Sequence, residues 1–157
     1  MKFLDYEFNE KNTLKCFIAI CIIGIIFIGC LYIEVLIPKR FNKDVKLIES
    51  DNYVVEVDLV EKSAVKLVIS GLAYNGPVPI ERYHQFYVLK NVDNGKSYIL
   101  KTKMEKRGNL SGTGAEFSGM HSQALTVFIP KGKYDLLVYY DTNSENIMLN
   151  TNKQVEI

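Results

Sequence analysis

QALTVFIPKGKYDLLVYYDTNSENIMLNT, residues 123 to 151, holds three short runs of strand-forming residues parted by PKG and DTNS. β-branched and aromatic side chains suit a pleated surface, whereas Gly, Pro, Asp and Asn supply the turns between strands. Tyr139 and Tyr140 are neighbours on one such run, so they point to opposite faces of a sheet, and one of them is expected to meet solvent. Read outward, the pattern repeats. YVVEVDLV (53–60), AVKLVIS (64–70), ERYHQFYVLKN (81–91) and KSYILKTKM (96–104) are short strand-like runs. LAYNGPVPI (72–80) is a loop by its Gly and two Pro, and GNLSGTG (108–114) is a flexible loop by composition. Asn94-Gly95 marks a hairpin, because both residues tolerate positive φ. DTNSENIM (141–148) reads as a hairpin turn too; it lacks the glycine and terminal glutamate of a calcium loop.

No run after residue 40 carries helical periodicity. About eight strands at roughly ten-residue spacing predict an all-β domain, a β-sandwich or Greek-key barrel. Gly132-Lys133-Tyr134 resembles the start of a late strand in immunoglobulin-like β-sandwiches, so Tyr134 is expected in the core with its hydroxyl tying down a corner.

Ahead of this domain, CFIAICIIGIIFIGCLYI (16–33) contains no charged residue. Eighteen such residues make a helix of roughly 27 Å, close to the thickness of a bilayer core. Tyr32 and Glu34 suit the interface, Pro38 ends the helix, and Lys39-Arg40 meet headgroups. Gly29-Cys30 also allows a lipoprotein cleavage site. The leader MKFLDYEFNEKNTLK balances three acids against three lysines, however, and the apolar run continues past Cys30, so a retained anchor is the expectation. The predicted organisation is a tail over 1–15, a transmembrane helix over 16–37, a linker over 38–43 and a β-sandwich over 44–157. Lysines on the two sides of the helix nearly balance, and the form of the chain places the sandwich outside the cytoplasm.

Beyond the anchor, 16 basic and 14 acidic side chains leave a net of +2, too weak and scattered for a nucleic-acid partner. All three cysteines lie in the apolar run, which excludes a disulfide or thiolate metal site from the domain. His84 and His121 show no ligand spacing, SGTG (111–114) is not followed by Lys-Ser/Thr, and no G-x-S-x-G is present. No metal, cofactor or catalytic residue is predicted. Ten tyrosines without a tryptophan point instead to a wet binding face, since tyrosine combines an apolar ring with a polar tip. Tyr74, Tyr83 and Tyr140 are the candidates for binding.

ISGLAYNG, YVLKNVDNGKSYIL, FSGM and IPKGKYDLLVYY together resemble small β-sandwich modules found with Gram-positive surface-polysaccharide and teichoic-acid glycosyltransferases. The resemblance spans about residues 65 to 157 and implies an accessory role beside cell-envelope glycopolymer synthesis; no functional residue carries over. The expectation is a membrane-anchored, extracytoplasmic, non-catalytic module whose partners are the bilayer and envelope glycopolymers or the membrane proteins that make them. The alternative is a small envelope hydrolase with a site in the 71–80 and 108–122 loops.

Overall fold

A 27-residue α-helix, α1 (Glu10–Leu36), opens the part of the chain that the computed structural model describes: residues 10–48, 52–76, 83–110, 115–142 and 146–157. The stretch Asn12–Leu36 is long and apolar enough to cross a membrane. The helix begins before residue 16 because Glu, Lys and Leu favour helix, so polar residues carry it past the apolar run. It stops at Leu36 rather than residue 37, because the residue before a proline is pushed out of helical geometry. The described residues divide into two units between Val35 and Leu36.

The second unit is built of strands in two sheets, as the alternating runs predict. In chain order these are β1 (Lys39–Phe41), β2 (Lys46–Ile48), β3 (Tyr53–Lys62), β4 (Lys66–Asn75), β5 (Tyr83–Asn91), β6 (Ser97–Leu100), β7 (Thr102–Glu105), β8 (Gly119–Leu125), β9 (Lys133–Thr142) and β10 (Asn146–Glu156). One sheet has the order β1-β6-β5-β9-β10-β2 and the other β3-β4-β8-β7. All pairings are antiparallel except β10 with β2.

The core lies between the sheets. Leu67, Ile69 and Ala73 of β4, with Met120 and Ala124 of β8, meet Tyr87 and Leu89 of β5 and Tyr134, Leu136, Val138 and Tyr140 of β9. Their spacing of two follows from the strand period, and it leaves Ser70, His121 and Gln123 on the opposite face of the smaller sheet. Tyr134 is fully buried and its hydroxyl donates to the Pro130 carbonyl at 2.7 Å. The expected role in core and corner is what the geometry displays.

The region read as a linker over 38–43 contains β1, which pairs with β6, and β2 follows at the far edge of the same sheet. Residues 42–45 therefore cross the larger sheet from edge to edge. They cross its outer face, where Phe41 and Val45 pack on Val88, Leu137, Tyr139 and Met148. A sheet whose central strand reads DLLVYY is apolar on both faces and needs a cover on each. The smaller sheet covers one; this strap covers the other.

The β5–β6 turn also differs in detail from a two-residue hairpin. Gly95 has φ +68°, whereas Asn94 stays at negative φ. The Asn91 side chain organises the turn by accepting from the backbone N–H of Asp93 at 3.0 Å and of Asn94 at 2.9 Å. The Gly/Pro loop over 77–80, the SGTG segment and the turn at 143–145 lie outside the described residues.

Candidate functional site

Of the three tyrosines chosen from sequence, Tyr74 and Tyr140 do not share a surface. Tyr74 lies near the end of β4, half-buried, on the outer face of the smaller sheet. The backbone of Tyr83 pairs with Thr142, while its side chain lies outside the description. Tyr140 is 4 % exposed and packs edge-on against Tyr53 at 5.6 Å, inside the core. Burial, then the nearby Tyr53, pushes its phenol up to about 12. The expectation of a solvent-facing member of the Tyr139-Tyr140 pair is corrected here. The two do take opposite faces, but the outer one, Tyr139, is only 2 % exposed. The strap covers it: Phe41 stacks at 5.1 Å in a tilted arrangement, and Lys43 Nζ donates to its hydroxyl at 3.2 Å. That bond raises the Lys43 pKa.

The hydrolase reading asks whether a histidine meets a serine and a carboxylate. Ser70 and His121 are direct partners across the β4–β8 ladder, with Ser70 Oγ 2.7 Å from His121 Nδ1. The other ring nitrogen faces the Gln123 side-chain nitrogen at 3.0 Å, and an amide cannot stabilise an imidazolium as a carboxylate does. Both residues sit on strands rather than in the 71–80 or 108–122 loops, since 71–75 belong to β4 and 119–122 to β8. His84 is exposed on β5, its ring stacked over Phe86 at 6.4 Å. Among the described residues, no three His, Cys, Asp or Glu side chains gather as a metal would require.

Sequence reasoning missed a patch at one end of the sandwich. Val65 is 56 % exposed, Val127 66 % and Phe128 47 %. They are neighbours because Thr126 bridges the two connections, its N–H to the Val65 carbonyl and its hydroxyl to the Ala64 carbonyl, both at 3.0 Å. Lys62, Lys66 and Lys131 flank these connections in the chain. The signal was present in TVFIPKG, where apolar residues sit against a proline turn instead of inside a strand. A 3-10 turn over Thr126–Phe128 lifts Val127 and Phe128 out of the pleat. Exposed apolar side chains with lysines, and Glu61, close in the chain suit a ligand with both apolar and charged parts.

Compared with protein-family models and with curated proteins, the chain matches none.

Proposed function

We propose that the protein is a membrane-anchored, extracytoplasmic module of immunoglobulin-like type that binds anionic cell-envelope glycopolymer, or the membrane proteins assembling it, without catalysing a reaction. The fold part of this reading is supported by strand order. Taking β3, β4, β5, β6, β7, β8, β9 and β10 as A, B, C, C′, D, E, F and G gives an A-B-E-D sheet against C′-C-F-G. Tyr134 then stands at the E–F corner, and the fully buried Tyr87 of strand C occupies the core where that fold often places a tryptophan.

The observation that carries the binding part is the patch of Val65, Val127 and Phe128 with its flanking lysines. A membrane helix raises the local concentration of such a patch near envelope polymers, so modest affinity suffices. The test uses the full chain in detergent micelles and a polyanionic glycerol-phosphate polymer as probe. Lys62→Glu, Lys66→Glu and Lys131→Glu together should weaken retention at least about tenfold and flatten its salt dependence, because the cations whose contacts release counterions are gone. Unchanged retention sinks the patch as the site. For placement, Asn109→Cys in a background lacking Cys16, Cys21 and Cys30 should react with a membrane-impermeant thiol reagent on whole cells; labelling only after lysis reverses the topology.

The hydrolase reading keeps one supporting observation, the 2.7 Å contact of Ser70 with His121. Its test is separate: a fluorophosphonate probe should label Ser70 and fail on His121→Ala if the pair is an activated nucleophile.

A further inference from the structure

The strap over the larger sheet is held mainly at its ends and by two apolar side chains. Its anchor to one edge is β1, three residues paired with β6 through Lys39↔Ile99, Arg40↔Tyr98 and Phe41↔Ser97. Across the face it offers two half-buried apolar side chains, Phe41 and Val45, and the Lys43 contact to the Tyr139 hydroxyl. Arg40, Asn42, Lys43 and Asp44 are exposed. None of residues 39–45 packs in the core between the sheets; Ile48 of β2 does, which pins the far end. Losing the crossing therefore leaves the main core intact, whereas β9 is paired on both sides and buried on both faces.

The strap also follows the membrane helix with only residues 37 and 38 between α1 and β1. Attached, it leaves only Ile37, half-buried, and Pro38, buried, between α1 and β1, and both already belong to the sheet unit. Detached up to β2, it leaves residues 37–45, nine residues, which extend to roughly 30 Å. Detachment simultaneously uncovers Val88, Leu137, Tyr139 and Met148, together with the free edge of β6. Reach and exposure of an apolar face are thus tied to one small set of contacts.

We propose that the outer face of the β6-β5-β9-β10 sheet is a reversible docking site whose occupant is the chain's own residues 39–45, a latch that opens independently of the sandwich. When closed, it masks the apolar face and keeps residues 39–45 out of the tether. When open, it lengthens the tether and presents that face. The inference stands apart from the glycopolymer reading, since it needs no ligand.

The test is amide hydrogen exchange on the full chain in detergent micelles. Amides of residues 39–45 and the outer edge of β6 should exchange together, at least about 100-fold faster than those of β9, with little dependence on low denaturant, as a local opening does. Phe41→Ala with Val45→Ala should speed exchange of this set by a further tenfold or so and raise dye binding to apolar surface, while β9 exchange stays unchanged. A reversible cross-link between Phe41→Cys and Ser97→Cys, in a background lacking Cys16, Cys21 and Cys30, should slow the set to the rate of its neighbours when oxidised. Equal exchange of residues 39–45 and β9 in the unmodified chain, with equal response to denaturant, would overturn the latch and make the strap an integral part of the fold.

Discussion

Tyr87 and Tyr134 are both fully buried, yet their hydroxyls face opposite circumstances. Tyr134 donates to the Pro130 carbonyl, whereas the Tyr87 hydroxyl has no hydrogen-bond partner among the described residues. Removing a satisfied donor loses its bond, and removing an orphaned one relieves a desolvation cost. Tyr134→Phe should therefore cost about 1 kcal/mol, and Tyr134→Ala about 3 to 5 kcal/mol because a core site is emptied. Tyr87→Phe should leave stability level or raise it by about 1 kcal/mol. Denaturant melts of the three variants check this; a loss from Tyr87→Phe as large as that from Tyr134→Phe would contradict it. Tyr140 supplies a pH signature. Its phenol is held at about 12 in the fold, against 10.0 unperturbed. Because the folded value is the higher one, the unfolded chain loses its proton first, so this contribution is intact below pH 10 and drains away as pH rises through 12. The melting temperature should fall across that window, and Tyr140→Phe should flatten the fall.

Among the strands, β9 was legible as a strand, but which of its faces is covered was not. The alternation in β4 is visible because one face meets the core and the other meets water, whereas β8 begins at Gly119, inside the stretch read as loop, and ends at Leu125, short of the predicted 129. DLLVYY has no polar face to mark its register, so sequence alone cannot show that Tyr139 is covered from outside. The cover itself, RFNKDV, is polar at most positions and reads as a linker; its two three-residue strands are too short to leave a pattern. The expectation that Tyr139 or Tyr140 meets solvent failed for a related reason, because facing decides exposure and facing depends on such covers. Glycine in mid-strand was a signal left unused. A Cβ on Gly71 would run into the Glu56 carbonyl of β3 and come within 2.7 Å of the Tyr87 hydroxyl. Close approach of two backbones is what a strand glycine marks. Arg107 exploits the same opening, donating to the Gly71 carbonyl at 2.8 Å while pairing with Asp58. Gly71→Ala should destabilise by about 1 to 3 kcal/mol or more, whereas Gly108→Ala, with nothing near, should be close to neutral. Thermal melts of both variants decide it.

For the whole molecule, one apolar helix followed by two sheets was readable from the jump between an uncharged run and a series of short alternating ones. A folded preparation in micelles should show a strand-dominated far-ultraviolet spectrum once the single helix is subtracted, and the mass of the membrane-extracted chain should retain residues 1–29. A species beginning at a lipidated Cys30 would contradict the anchor. The pairing of β2 with β10 has a consequence in time. Lys46 sits beside Ile147, so partners about a hundred positions apart must meet, the kind of distant contact that slows assembly. During synthesis the segment after the helix emerges early and waits for a strand made much later. Until β10 arrives, β2 has no partner to pin the strap across the outer side of β5 and β9, and the nascent domain is at its stickiest. Exposure of unfinished sheets is confined to that interval, which closes when β10 is threaded between β9 and β2.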